Sequence, residues 1–334
     1  MTIGIKDVAK AAGVSPATVS RVLGSGPVSA DLREKVEAAI RATGYRPNLS
    51  ARRLRSQHTR TIGLIVSDIR NPFFTALSRA VEDAAYKAEM RVILCNTDEN
   101  PAREAMYLRL MQEERITGLI YAPTRAGSDD LEKLDFDFPV VLVDRSGPPG
   151  LHDSVVIDNP EACRMLVEHL HATGRRRIGG LFGNTSSTAV ERHRGYVAAM
   201  TALGLTPEAR FVAPTAEAAA AEAARWLTTG DRPEALIASN GLILLGLYKT
   251  ARALGLDVPN DLALAGFDSD VWTEIVGPGL TVIEQPIAEI GRTAMSLLFE
   301  RLELPEMAPR KVVLSGRLLV RGSTGQAVGA TRSA

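Results

Sequence analysis

Only two cysteines occur in 334 residues, Cys95 and Cys163, too few for a disulfide framework. Both lie in apolar or helical surroundings, so they read as reduced core thiols. Histidine is scarce as well. His58, His152, His169, His171 and His193 are scattered, and His169 and His171, two apart, do not share a helix face; no metal site is expected. No apolar run approaches the ~18–20 residues of a membrane span, so no membrane partner is expected. The opening MTIGIKDVAKAAG has no continuous apolar segment and carries Lys6, Asp7 and Lys10 early, which predicts no secretory leader and a cytoplasmic protein. Signals of catalysis are missing too. A serine nucleophile elbow is absent, and Gly179, Gly180 and Gly183 lack the spacing of a dinucleotide loop. Neither an enzyme nor a cofactor is expected.

Net charge is also zero, but that zero hides an asymmetry. Residues 1–60 hold 11 Lys and Arg against 4 Asp and Glu; the remainder holds 28 against 35. A basic head on an acidic body points to a polyanion partner for the head alone. The basic residues are interleaved with helical apolar spacing, which a solvated tail lacks.

Ile5, Val8, Ala9 and Ala12 form a helical stripe that predicts a helix over 5–12, ended by Gly13 in a left-handed cap. Val14 is expected to be buried in the turn. Ser15 then caps a second helix with Pro16 at its first position. Val19, Val22 and Leu23 share its apolar face, leaving Ala17, Thr18, Ser20 and Arg21 to point elsewhere. A third helix has Ser29 as its cap, Leu32, Val36, Ala39 and Ile40 as its stripe and Gly44 as its end. Three short helices with a tight turn between the first two make a helix-turn-helix domain, whose second helix enters the DNA major groove. Arg21 is suited to a guanine edge and Ala17 to a thymine methyl. Ser15, Thr18 and Ser20 are short donors for phosphates, with cap or surface filler as the other reading of each. Pro47 breaks the third helix. Asn48 or Ser50 can cap a very short segment holding Ala51, Arg52, Arg53, Leu54 and Arg55, too short and too basic to be helical alone. A leucine amid arginines fits a minor-groove wedge at Leu54, with the arginines on flanking phosphates; a charged linker is the alternative.

From Thr61 the pattern changes. The apolar runs TIGLIV, RVILC, ITGLIYA, PVVLV, RRIGGLF, EALIAS and LALAGF alternate with helical stretches over 73–89, 103–114, 160–173, 217–228 and 242–254. Strands buried on both faces and alternating with helices predict doubly wound parallel sheets, in two units with a break near 158–160. Ligands in such sheets sit beyond the strand C-termini, which directs attention to residues 68–74, Asp144-Arg145, 184–192, Ser239-Asn240 and Phe267-Asp268. The expected organisation is a helix-turn-helix domain at 1–46, a hinge segment at 47–60 and a ligand-binding and dimerisation domain at 61–334.

The runs IKDVAKAAGVSPATVSRVL, VSADLREKVEAAI, GYRPN and ARRLR are followed in order by TIGLIVSDIRNPFF, DRSGPPG, VVIDN, RHRGY, VPNDLALAGFD and LTVIEQP. Over residues 2–322 the chain thus resembles the lac-repressor (LacI) family of bacterial transcription regulators. The resemblance implies a small all-α helix-turn-helix domain joined to an α/β two-lobed domain of the periplasmic-binding-protein type with doubly wound parallel sheets. It implies a homodimer, or a tetramer built from dimers, on a near-palindromic operator in double-stranded DNA. DNA contacts would then come from Ser15, Pro16, Ala17, Thr18, Ser20, Arg21, Asn48, Ala51, Arg52, Leu54 and Arg55. Arg192, three residues before Gly195, matches the family's effector-binding arginine. Asn240 and Asp268 match positions that hydrogen-bond the effector, and Phe73 and Phe74 match the aromatic that closes one side of the pocket. With Asp144 at a strand end, these form the usual kit for a polyhydroxylated ligand, a sugar or sugar acid. Other readings stay open: Asp268 as a turn cap, Phe73 and Phe74 as helix core, Asp144-Arg145 as an inter-lobe ion pair. Two departures stand out. Gly241 replaces the acid that usually follows Asn240, and Arg175 replaces a common histidine. The function read from these residues is an effector-controlled repressor. The alternative is a carbohydrate-binding protein without a DNA-binding role, which the basic helical head argues against.

Overall fold

The computed structural model describes residues 3–23, 27–45 and 59–325. The chain divides into two compact units, residues 1–59 and 60–334.

The first unit holds α1 (Ile5–Ala12), α2 (Pro16–Leu23) and α3 (Ala30–Thr43). Gly13 ends α1 at φ +66°, a left-handed conformation open to glycine without a Cβ penalty. The Ser15 hydroxyl accepts from the Thr18 N–H at 3.1 Å and the Ser29 hydroxyl from Leu32 at 3.5 Å, so both predicted caps form. Val8, Ala9, Val19, Val22, Val36 and Ala39 meet in one small core, with Ile5, Ala12, Leu23 and Ile40 packed on it. Val14, expected to be buried, is only half-buried, because the turn lies at the rim of a centre already filled by Val8, Val19 and Val36. Leu32 is half-buried as well.

The second unit has two lobes. Its elements are β1 (Thr61–Val66), α4 (Pro72–Lys87), β2 (Arg91–Asn96), α5 (Pro101–Glu113), β3 (Gly118–Tyr121), α6 (Arg125–Asp130), β4 (Val140–Val143), β5 (Asp153–Ile157), α7 (Asn159–Ala172), β6 (Ile178–Gly183), α8 (Ser187–Ala202), β7 (Glu208–Val212), α9 (Ala216–Leu227), β8 (Ala235–Ala238), α10 (Gly241–Ala253), β9 (Ala263–Phe267), α11 (Val271–Ile275), β10 (Thr281–Glu284), α12 (Ile287–Glu303), β11 (Lys311–Leu314) and β12 (Arg317–Leu319). One six-stranded sheet runs β11-β5-β4-β3-β1-β2, the other β12-β10-β9-β8-β6-β7. All pairings are parallel except β10 with β12. The chain passes between the sheets after β5, after β10 and between β11 and β12, so the crossing near 158–160 is joined by two more.

The central strands are buried along their whole length save for half-buried Glu284 at the end of β10, but β2 and β7 are not: Arg91, Leu94, Glu208 and Phe211 are exposed. Burial on both faces fails there because each is the last strand of its sheet. One apolar cluster runs from Leu64 and Phe74 in the first lobe to Phe182 and Ile237 in the second. Each such side chain stabilises by about 1.5–3 kcal/mol relative to exposure. Cys95 and Cys163 are buried and unbridged. Arg175, given no role by the sequence, is buried and donates to the carbonyls of Thr173, Pro259 and Gly325 at 3.1, 2.8 and 2.9 Å. It ties three loop segments of the second lobe together.

Candidate functional site

In the head, the stripe of α2 is turned inward, which leaves Ser15, Pro16, Ala17 and Arg21 exposed and Thr18 and Ser20 half-buried. Ser15 and Thr18 bond to each other through their hydroxyls at 3.0 Å. The start of α2 is therefore a rigid, small-residue surface that can approach another surface closely. Asn48, Ala51, Arg52, Leu54 and Arg55 lie outside the described residues.

In the second unit a cleft of some 540 Å³, open to solvent, lies where the C-terminal ends of both sheets face each other. Phe73, Phe74, Asp144, Arg192, Asn240 and Asp268 all line it. Asn71 caps α4 by accepting from the Phe73 N–H at 3.1 Å, which sets the two phenylalanines at the cleft. Their rings meet edge-on, centroids 5.0 Å apart, and both also belong to the core. The core reading and the pocket reading are thus both true of them.

Arg192 shows why the spacing to Gly195 matters. A Cβ at Gly195 would stand 2.3 Å from the Pro160 carbonyl oxygen, so glycine lets α8 lie directly on the start of α7. One turn earlier, Arg192 Nε then reaches Asn159 Oδ1 at 2.8 Å, and Nη1 donates 2.5 Å to the Ser239 carbonyl. The guanidinium carbon sits 3.8 Å from the centroid of the Phe267 ring, a stacked cation–π contact. Nη2 has no protein partner among the described residues. Burial pulls the pKa of Arg192 below the usual guanidinium range, against the pull of Asp268 and Asp144.

Asp144 and Asp268 follow the fourth strand of their respective sheets, β4 and β9, and both have left-handed backbones, φ +65° and +76°. Aspartate tolerates this conformation better than most residues, and here it turns a carboxylate into the cleft. Asp268 accepts from the Gly241 N–H at 2.9 Å and from Gln285 Nε2 at 2.6 Å. The cap of the following turn falls to Asp270 instead. Asn240 caps α10 through Oδ1, which accepts from Ile243 at 2.8 Å, and keeps its Nδ2 for the cleft. Asp144 and Arg145 do not bridge the lobes as an ion pair. Arg145 is bound within the first lobe, to both oxygens of Glu99 and to the Pro123 carbonyl. Glu99 and Gln285 also line the cleft but were not singled out from the sequence. Gln285 directly follows β10 in the run LTVIEQP, the one signal that could have found it.

Asp144 accepts no hydrogen bond among the described residues. Its nearest cation is Arg145, Nε to Oδ2 at 3.4 Å. Burial, with Asp268 and Glu99 adding to it, pushes its pKa from 3.8 up to about 6, against Arg145 and Arg192. A carboxyl raised in the folded state destabilises the fold when ionised. The penalty is full above about pH 6, shrinks as pH falls through that value and is gone below 3.8, where the unfolded carboxyl is protonated too. At 1.36 kcal/mol per unit it reaches about 3 kcal/mol. Asp144→Asn should therefore raise the ligand-free melting temperature at about pH 7, with the gain narrowing by about pH 4.5. Thermal melts at the two pH values check this; an asparagine variant less stable than the parent at about pH 7 is the contrary result.

Among the described residues no group of His, Cys, Asp and Glu is placed to hold a metal ion, and no helix is long and apolar enough to cross a membrane. Residues 4–48 match bacterial regulatory proteins of the lacI family, and residues 167–324 match a periplasmic binding protein-like domain. The HTH-type transcriptional regulator PtxS of Pseudomonas plecoglossicida is 35% identical over 329 residues, 96% of each chain. The HTH-type transcriptional repressor PurR of Photobacterium profundum is 32% identical over 326 residues, 96% of this chain and 98% of that one. The Lac repressor dimer bound to operator and the anti-inducer ONPF superposes with a TM-score of 0.85 at 26% identity, covering 97% of this chain and 100% of that one. The transcriptional regulator CelR in complex with cellobiose gives 0.73 at 28% identity, covering 96% and 99%. With a helix-turn-helix head, a two-lobed body and relatives matched along nearly their whole length, this chain belongs to the lacI family of bacterial regulatory proteins and is a DNA-binding transcriptional regulator, not an enzyme.

Proposed function

We propose that the protein is a repressor that binds a near-palindromic operator as a homodimer and is controlled by a sugar or sugar acid held between its lobes. The observation that carries this reading is the cleft, where Asp144 from one lobe and Arg192 and Asn240 from the other keep acceptors and donors without protein partners among the described residues, beside Asp268 and two aromatic rings. Residues 1–46 read the DNA, 47–60 form the hinge and 61–334 bind effector and partner subunit. An effector that bridges the lobes binds the closed arrangement better than the open one, and only that difference can shift the dimer. Lobe movement alters the spacing of the two Asn48–Arg55 segments, which are too short and too basic to stay helical unless paired on DNA. The cellobiose complex of CelR supports a saccharide effector. Exposed apolar side chains at the β2 edge of the first sheet, Tyr86, Leu94, Met106 and Leu110, support a partner subunit there. Leu94→Arg combined with Met106→Arg should halve the mass measured by light scattering.

The head is tested by salt and by mutation. Binding to a labelled operator fragment should weaken steeply with salt. Arg21→Ala should cost about 1–3 kcal/mol and relax the preference at one base position. Equal loss on specific and random DNA would make Arg21 a phosphate contact instead. Leu54→Ala should abolish the bend of the bound duplex.

A further inference from the structure

The cleft lining carries four carboxylates, Asp68, Glu99, Asp144 and Asp268, against two guanidinium groups, Arg145 and Arg192. Most of these charges are already engaged. Arg145 is held by Glu99. Arg70, at the rim, grips both oxygens of Asp68 at 2.9 and 3.0 Å. Asp268 has Gly241 and Gln285 as donors. Two charged groups keep capacity toward the cleft: Arg192 through Nη2, and Asp144, whose side chain is about nine-tenths buried without a hydrogen bond. The N-termini of α4, α8 and α10 also face the cleft, but Asn71, Ser186 and Asn240 cap them with their own oxygens. The first N–H of α10 is spent on Asp268. Neutral caps spend these N–H groups without removing the helix dipoles, so the excess of negative charge is offset only in part.

A carboxylate or phosphate entering this space would face the Asp144 carboxylate, which offers no proton when ionised; Arg145 is already engaged by Glu99, which leaves Arg192 alone to offset the repulsion. A hydroxyl both donates and accepts, so neighbouring hydroxyls can donate to Asp144 from one lobe's side and accept from Arg192 Nη2 on the other's. We propose that the cleft selects a polyhydroxylated effector with no acidic group, and that Asp144, which accepts no hydrogen bond among the described residues, is the residue that rejects acids. This narrows the carbohydrate reading above and rests on it.

The test uses the full chain and matched pairs of probes: D-glucose with D-gluconate, D-galactose with D-galacturonate, cellobiose with cellobionate. A ligand at a hundredfold excess over its Kd raises the melting temperature by roughly 5 °C or more. At least one neutral probe should do so while its acid partner does not. In Asp144→Asn, which keeps a residue tolerant of the left-handed backbone, the acid partner should gain about tenfold or more in affinity relative to the neutral probe. An acid that shifts the parent protein as much as its neutral partner overturns the proposal and leaves the carbohydrate reading standing. Discrimination unchanged in Asp144→Asn overturns the role of Asp144. No shift from any probe overturns both.

Discussion

Arg192→Ala should raise the effector concentration needed for half-maximal response by about a hundredfold or more, because truncating one partner of a buried, hydrogen-bonded charge cluster costs about 2–5 kcal/mol. The guanidinium is the only cation on the second lobe's side of the cleft among the lining residues, and it is held in place from three sides. Asn159 takes Nε, Ser239 takes Nη1, and the Phe267 ring lies beneath the plane. That leaves Nη2 without a protein partner among the described residues, on a group whose geometry is fixed before any ligand arrives. The truncation also strands Asn159 Oδ1 and the Ser239 carbonyl in a buried site, which destabilises the fold by about 1–3 kcal/mol. Melting without ligand reports that loss. Operator binding at rising concentration of the saccharide that stabilises the parent reports the other. Arg192→Lys separates charge from shape, since an ammonium cannot make the forked contacts. A variant that responds with the parent's midpoint and amplitude would mean that Arg192 does not touch the effector.

Asp153→Ala should destabilise the fold by about 3–5 kcal/mol, seen as a fall in melting temperature of roughly 10 °C. Asp153 is buried at the start of β5. It accepts from Arg301 on α12 at 3.1 and 2.8 Å and from the Arg310 N–H at 2.7 Å. Removing it leaves the Arg301 guanidinium largely buried and without its carboxylate. It also frees the segment that leads into β11, the strand paired with β5 just before the last passage between lobes. Asp153→Asn, which keeps the acceptor but not the charge, should lose less. A melting temperature within about 2 °C of the parent in the alanine variant would show that the pair adds little beyond its desolvation penalty.

Much of this molecule is local and therefore legible. The helices of the head are written in short-range terms: an apolar stripe every three or four residues, a serine before each of two helices, a glycine at the ends of two. These depend on neighbours in sequence, so composition and spacing suffice. The same holds for the central strands β1, β3, β4, β6, β8 and β9, whose continuous apolar runs have no other stable place than between helices; the central strands β5 and β10, short and interrupted by Asp153, Ser154, Thr281 and Glu284, were not read. The strands of lower apolar content were not read. β7 lies at a sheet edge, β11 alternates exposed with half-buried positions and β12 has no fully buried residue, so the pattern weakens where one face meets water. The helix α8 was missed because its apolar residues are spread around it, with polar Arg192 and Thr188 buried on the cleft side.

By itself the sequence determined the helix-turn-helix head, the separation of charge between head and body, the two-lobed parallel architecture and the set of residues beyond the strand ends. What only the tertiary structure decided is how those residues are spent. Asp144 and Arg145 are adjacent in the chain, yet one accepts no hydrogen bond and the other is locked to Glu99, 46 residues earlier. Asp268 is held by Gly241 and Gln285 rather than by its own turn. Gly195 matters for a contact with Pro160 that no spacing within its own helix predicts. Hydrogen-bond partners of buried charges are set by which strand ends meet across a sheet and between lobes, and those meetings are long-range consequences of packing.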